Sequence, residues 1–183
     1  MNKLIERINM WYVVISFIIF VTFMVFVLPS MSNYMDEKTG GADSPDTSLI
    51  YSGNELYDMA GDYGEEGREA YILVRFTFDI VWPLVYTFFL LSTLAYLYKK
   101  NRLKPVYIFI LFIPLSAMMF DFLENVATAL TMHFYPNKFI IILYSAPIFT
   151  FLKWILIYLS FLLVLYLSFI TLLKQLGRGD AVE

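Results

Sequence analysis

Residues 11–28 read WYVVISFIIFVTFMVFVL, and no charged side chain occurs between residues 8 and 35. An uncharged apolar run of about 18 residues is long enough to cross a bilayer as one α-helix. Further apolar stretches follow at 70–98, 105–132 and 147–173. The sequence therefore predicts an all-α, multi-pass membrane protein: a bundle of four transmembrane helices, the first at 9–29, in a single membrane domain spanning residues 1–183.

The composition agrees with that fold and excludes several chemistries. Of 183 residues, 60% are hydrophobic and 16% are charged, whereas soluble domains carry roughly 25% charge. The chain has no Cys, so it forms no disulfide, zinc thiolate or iron–sulfur cluster. Asp79, Asp121, Glu124 and the single His, His133, offer hard metal ligands, but their spacing matches no metal motif. We expect no metal, no cofactor and no nucleic-acid partner.

A polar segment, residues 30–69, separates the first two apolar stretches. Its residues 38–46 have turn composition. Ser52-Gly-Asn-Glu55 has the spacing of a capping box, so a short helix is expected there, ending at Gly61 or Gly64. This predicted outer loop is a candidate contact for a partner protein because it is strongly acidic. Against Lys38 and Arg68 it carries ten acidic residues: Asp36, Glu37, Asp43, Asp46, Glu55, Asp58, Asp62, Glu65, Glu66 and Glu69.

Basic residues are divided unequally between the two sides of the predicted bundle. Lys and Arg favour the cytoplasmic side. Both termini and the basic loop 99–104 are therefore predicted to be cytoplasmic, in a plasma (inner) membrane. Pro147 is predicted to start the fourth span, with 139–146 either interfacial or re-entrant or part of that span. The predicted inner side has Lys3, Arg7, Lys99, Lys100, Arg102, Lys104, Lys174 and Arg178, and the outer side has Lys38, Arg68 and Lys138.

Three predicted spans carry ionisable side chains within their apolar stretches. Asp79, Glu124 and Lys153 each lie 20 or 21 residues from a Lys at the basic end of the same span. A rise of 1.5 Å per residue places all three about 30 Å from that end, with Asp121 about one turn deeper. Asp121, Glu124 and Asn125 share one helix face, because they are spaced i, i+3 and i+4.

We predict that these side chains line an outward-opening polar pocket, since ionised groups within spans face the bundle interior. Pro83 adds a polar group, because it cannot donate to the Asp79 carbonyl. Three carboxylates face two cations, so Asp121 has no evident partner, and the excess acid favours a proton donor or a cation site. Ligand-binding candidates are Asp79, Asp121, Glu124, Asn125, Trp82, Tyr86, Lys153 and Arg75, with Phe120, Phe122 and Trp154 completing an aromatic wall.

The first hypothesis is a membrane protein that binds a lipid, an isoprenoid or a cationic amphiphile. If the pocket is catalytic, Asp121 is the proton donor and Glu124 or Asp79 is the stabilising carboxylate. In a second hypothesis, Arg75–Asp79 and Glu124–Lys153 are structural ion pairs in a non-catalytic accessory or assembly protein. A third is a proton- or cation-coupled transport subunit, for which four spans need a homo-oligomer.

The span layout resembles that of the EXPERA group, which includes emopamil-binding sterol isomerase. The resemblance covers the span order and residues 54–98, including the acidic residue followed by Pro in Asp79-Ile-Val-Trp-Pro83. It implies bundle carboxylates that hold a cationic or sterol-like ligand. Asp121-x-x-Glu124-Asn125 has no counterpart in that layout, so no catalytic role is transferred.

Overall fold

The computed structural model describes residues 2–45 and 48–179, with side chains described between 5 and 176. The side chains of Lys3, Asp46 and Arg178 lie outside the described residues. Every element in the described part is helical, and four helices are long and apolar enough to cross a membrane: Met10–Thr39, Gly64–Lys100, Pro105–Phe134 and Ile140–Leu176. The elements are α1 (Asn2–Arg7), α2 (Met10–Thr22), a π-helical turn (Phe23–Val27), α3 (Leu28–Thr39), α4 (Gly53–Asp62), α5 (Gly64–Arg75), α6 (Phe78–Lys100), a 3₁₀ helix (Pro105–Leu111), α7 (Phe112–Phe134) and α8 (Ile140–Gly179).

The first long helix does not end at Pro29, as the sequence predicted. It continues through the π-helical turn into α3, so the first residues of the predicted loop 30–69 are helical. In the π turn the N–H of Leu28 donates to the Phe23 carbonyl. The bonding register has therefore shifted by one residue before Pro29, and the missing proline N–H interrupts no regular α-helical pattern. Gly40, in the left-handed region with φ 67°, ends the helix.

The predicted second span, 70–98, is two helices rather than one. α5 and α6 are separated by Phe76 and Thr77. The Thr77 hydroxyl donates to the Leu73 carbonyl (2.7 Å), and its N–H bonds the Val74 carbonyl (3.2 Å) instead. The break is set by the backbone of Phe76 (φ −98°, ψ 5°) and Thr77 (φ −121°, ψ −81°), both of which lie outside the α-helical region.

The third and fourth spans also differ from prediction at their first turns. Pro105 begins a 3₁₀ helix, as its missing N–H favours, and the α-helical part starts only at Phe112. Pro147 lies inside α8 and does not start it, so residues 140–146 belong to the fourth long helix. With 40 residues, α8 is about 60 Å long. A helix of that length extends beyond the roughly 30 Å hydrocarbon core of a bilayer.

Lys99, Lys100, Arg102 and Lys174 lie at one end of the bundle, here called the basic end. Lys99 Nζ donates to the Glu6 (2.8 Å) and Ile8 (3.0 Å) carbonyls beside α1. Asn101 Nδ2 donates to the Leu167 carbonyl of α8 (3.2 Å). The structure thus places α1, the α6–α7 connection and the last turns of α8 together, as the division of Lys and Arg predicted.

The opposite end is covered by α4. The predicted capping box is confirmed: the Ser52 N–H donates to Glu55 Oε2 (2.6 Å), and the Glu55 N–H donates to Ser52 Oγ (3.2 Å). α4 approaches α8 closely at Gly53, because a Cβ there would lie 3.0 Å from the Leu143 carbonyl oxygen. α4 packs on α7 and α8 through a set of buried residues, here called the cap core: Tyr51, Leu56, Ala60, Tyr63, Tyr71, Ala127, Met132, Leu143 and Ala146.

Aromatic rings join the first helix to the bundle. Phe20 stacks on Phe89 of α6, with centroids 4.9 Å apart, and on Trp82, with centroids 5.7 Å apart. Phe23 continues the contact with a centroid distance of 6.3 Å to Trp82. Only 6% of the most apolar stretch of this helix is buried within the protein, so most of its surface faces away from the other helices.

Candidate functional site

Five ionisable side chains from α5, α6, α7 and α8 lie together in the bundle interior. They are here called the charged layer: Arg75 (2% exposed), Asp79 (9%), Asp121 (5%), Glu124 (0%) and Lys153 (6%). Of the three residues that the residue count placed at one level, Glu124 and Lys153 form an ion pair, while Asp79 pairs with Arg75. Asn125 (3%) lies in the same layer.

One half of the layer is built around Arg75. Its Nη1 donates to Asp79 Oδ2 (2.9 Å) and to Asn125 Oδ1 (3.1 Å). Its Nη2 donates to the Tyr71 hydroxyl, and the guanidinium lies 4.3 Å from the Tyr71 ring centroid. The predicted Arg75–Asp79 ion pair is confirmed. Tyr71 was not among the sequence candidates, although its i, i+4 spacing from Arg75 was a usable signal.

Asn125 donates the hydrogen bond to the Asp79 carbonyl that Pro83 cannot donate. The Asp79 carbonyl has no helical donor at position 83, because proline lacks an N–H. Asn125 Nδ2 donates to that carbonyl at 2.9 Å, while its Oδ1 accepts from Arg75. A single side chain of α7 therefore joins α6 to the cation of α5. Asn125 was predicted to bind a ligand, and the structure assigns both ends of its amide to the protein.

The other half of the layer is built around Lys153. Its Nζ lies 2.6 Å from Glu124 Oε2 and 3.8 Å from Asp121 Oδ1. Asp121 also accepts a hydrogen bond from the Tyr86 hydroxyl at 2.9 Å. The Glu124–Lys153 pair is confirmed. The expectation that Asp121 has no partner is wrong, since Tyr86 of the neighbouring helix donates to it.

Aromatic side chains border the Lys153 half. The Trp82 ring lies 5.8 Å from that of Tyr86. Lys153 Nζ lies 5.4 Å from the ring centroid of Trp154. Trp154 is half-buried, yet its Nε1 is a buried donor without a hydrogen-bond acceptor among the described residues. The remaining predicted wall residues, Phe120 and Phe122, are half-buried.

The cap core lies between the charged layer and the end of the bundle that α4 covers. Tyr71 connects the two, because it belongs to the cap core and its hydroxyl accepts a hydrogen bond from Arg75 of the layer. Its ring lies 5.6 Å from that of Tyr63. The Tyr51 hydroxyl is 2.9 Å from Thr150 Oγ1, one helical turn before Lys153. The layer is thus covered by protein on the side that was predicted to open outward. No sequence signal joins Tyr51 to Thr150, which lie 99 residues apart.

The charged layer has unequal numbers of acids and bases. Three carboxylates, on Asp79, Asp121 and Glu124, face the two cations of Arg75 and Lys153. With all five ionised, the described residues of the layer carry one net negative charge. His133 adds no charge to the layer, because it is exposed and packs edge-on against Phe134 with centroids 5.0 Å apart.

The arrangement offers hydrogen bonds and charge but no metal cage. Among the described residues, no group of three or more His, Cys, Asp or Glu side chains is placed to hold a metal ion. Comparison of the chain with protein-family models, with curated proteins and with solved structures finds no match.

Proposed function

We propose that this chain is an integral membrane protein whose charged layer takes up the positively charged headgroup of a lipid-like amphiphile. The observation that carries the proposal is the excess of one carboxylate in a layer whose members are at most 9% exposed. Buried charge is costly unless it is balanced. One proton, or one cationic group, restores neutrality.

The two halves of the layer have different roles in this proposal. Arg75 and Asn125 serve the architecture, because together they satisfy Asp79 and the carbonyl that Pro83 leaves without a donor. The Lys153 half is the binding half, since two carboxylates, Asp121 and Glu124, share one cation there. Asp121 lies farther from Lys153 than Glu124 does and is the carboxylate that faces the ligand.

An amphiphile fits this half better than a small hydrated ion. Trp82, Tyr86 and Trp154 provide apolar surface around the carboxylates. The buried Trp154 Nε1–H would donate to an oxygen of the ligand, which removes the penalty of about 1–3 kcal/mol for an unsatisfied buried donor. The preferred ligand therefore has a cationic head, a nearby oxygen acceptor and an apolar body.

Any chemistry at this site is proton transfer through Asp121. In the empty state the carboxyl holds the neutralising proton and Tyr86 orients it through a 2.9 Å hydrogen bond. Arrival of a cationic group displaces that proton, which is released to the solvent, and Lys153 keeps Glu124 ionised beside Asp121. Asp121 is the proton donor in this scheme, and Glu124 stabilises the positive charge of the ligand.

Two isosteric variants test the division of roles. Asp121→Asn removes the excess charge and keeps a partner for Tyr86, so stability in neutral detergent should change by less than about 1 kcal/mol. Binding of dodecyltrimethylammonium should be lost. Asp79→Asn is the matched control: it leaves Arg75 without its carboxylate and should cost about 3–5 kcal/mol.

The accessory-protein hypothesis makes the opposite prediction for Asp121. It is favoured by the closed geometry, in which each carboxylate of the layer already has a cation or hydroxyl contact. If the charges serve architecture alone, Asp121→Asn destabilises the protein as strongly as Asp79→Asn, and the wild type binds no cationic amphiphile. That pair of results would overturn the binding proposal.

A further inference from the structure

A groove of about 510 Å³ lies at the basic end, between the end of α6 and the last turns of α8. That volume is in the range of small-molecule sites. Three of its lining residues are cations and none is acidic: Lys100, Asn101, Arg102, Thr171, Lys174 and Gln175. Within the described part of the chain, none of the three cations forms an ion pair.

A buried asparagine fixes the floor of this groove. Asn101 is 6% exposed, and its Nδ2 donates to Thr171 Oγ1 at 2.8 Å and to the Leu167 carbonyl at 3.2 Å. Lys174 Nζ donates to the carbonyl of Asn101 (3.4 Å) and to its Oδ1 (3.3 Å). Neutral oxygens thus position the ammonium of Lys174, and no carboxylate of the described residues compensates its charge.

Arg102 is held in an unusual backbone conformation beside the groove. Its φ is 52°, and it is the one non-glycine residue with positive φ among the described residues. The Leu103 N–H bonds the Tyr98 carbonyl (3.2 Å) and the Arg102 N–H bonds the Lys99 carbonyl (3.1 Å), which is the Schellman pattern with arginine where glycine is usual. Strain of this kind persists only where the surrounding structure fixes it, and such positions cluster at ligand-binding sites.

We propose that this groove binds the phosphate of an anionic phospholipid headgroup. Arg102 offers a planar fork for two phosphate oxygens, while Lys100 and Lys174 supply point charges. Basic clusters directly beside apolar spans attract anionic lipid. Leu172 (52% exposed) and Leu176 (60% exposed) are apolar neighbours of the α8 lining residues, and they offer a surface to an acyl chain. A free phosphate ion would share the cations but gain nothing from the leucines.

The test is thermal unfolding of the whole protein in neutral detergent with three additives: phosphatidylglycerol, phosphatidylcholine and inorganic phosphate at matched ionic strength. Phosphatidylglycerol at about tenfold above Kd should raise Tm by about 3–5 °C, whereas the other two should not. Arg102→Gly should raise the lipid-free Tm by about 2 °C, since it relieves the strain. The same change should weaken phosphatidylglycerol binding about fivefold.

Controls make the result decisive. Lys104→Gln removes one positive charge at the same end but outside the groove lining, and it should keep the full response. Lys100→Gln with Lys174→Gln should lose the response without relieving any strain. An unchanged response in both groove variants, or equal shifts with phosphatidylcholine, would overturn the proposal. A response to inorganic phosphate alone would overturn the lipid assignment and give the groove to a soluble phosphate compound.

Discussion

The bond from Asn125 to the Asp79 carbonyl exists because Pro83 cannot make it, and this dependence can be measured. In the wild type the distance is 2.9 Å, and Asn125 also accepts from Arg75 at 3.1 Å. Pro83→Ala restores an N–H at the position from which a helix normally donates to residue 79. Asn125 should therefore matter less in the Pro83→Ala protein than in the wild type.

The magnitude follows from the groups that lose partners. Asn125→Ala leaves the buried Asp79 carbonyl without a donor, at about 1–3 kcal/mol, and removes one acceptor from Arg75, at about 1.5–3 kcal/mol. Only the first loss is repaired by the N–H of residue 83. The cavity left by the fully buried Pro83 and the loss at Arg75 occur in both arms of a double-mutant cycle and cancel. The expected coupling energy is therefore about 1–3 kcal/mol.

The assay is reversible unfolding of the four proteins of the cycle in mixed micelles. A matched control pairs Pro83→Ala with Asn101→Ala, another buried asparagine that bonds backbone carbonyls but at the basic end. That pair should be additive within about 0.5 kcal/mol. Additivity of Pro83→Ala with Asn125→Ala would refute the claim that Asn125 replaces the missing helical donor.

Three further changes test the cap and the binding half. Ser52→Ala should destabilise α4 by about 1 kcal/mol. The backbone N–H and the hydroxyl of Ser52 hold the pKa of Glu55 below its ordinary 4.5, so cap stability should fall as pH drops through that lowered value. Hydrogen exchange of α4 amides should show this pH dependence in the wild type and a weaker one in the variant, which keeps the N–H but loses the hydroxyl. Gly53→Ala should destabilise the cap by about 1–3 kcal/mol, because the new Cβ meets the Leu143 carbonyl. Gly61→Ala is the control: its Cβ meets the Tyr135 side chain, which can move, so the change should be neutral or stabilising in the same exchange measurement. Equal effects of the two changes would contradict the packing of α4 on α8. Lys153→Met should cost about 3–5 kcal/mol in micelle unfolding, and adding Glu124→Gln should recover part of it; no recovery would argue against the 2.6 Å pair.

The number and kind of helices could be predicted from the sequence because apolar length is a local property. The ends of those helices could not be predicted, since each depends on contacts or hydrogen bonds that the positions of the prolines do not reveal. Pro29 is preceded by a π turn, and Pro147 lies inside α8, where the backbone of Gly53 approaches the Leu143 carbonyl closely. The second span is divided at Phe76 and Thr77, where the backbone leaves the α-helical region.

The members of the charged layer were predictable for a similar reason. Depth along a helix follows from residue counts, so the sequence alone predicts one level for Asp79, Glu124 and Lys153. Which acid pairs with which donor depends on helix rotation and on neighbours far away in the chain. Tyr86 as the donor to Asp121, and the cap core that closes the layer, therefore required the structure.

The central claim is that Asp121 exchanges its proton for a cationic group, and proton release tests it most directly. Binding of dodecyltrimethylammonium is measured calorimetrically near neutral pH in two buffers that differ in ionisation heat. The proposal predicts about one proton released per amphiphile bound by the wild type, and neither binding nor release in Asp121→Asn. Binding that releases no proton and is equally strong in Asp121→Asn would contradict it.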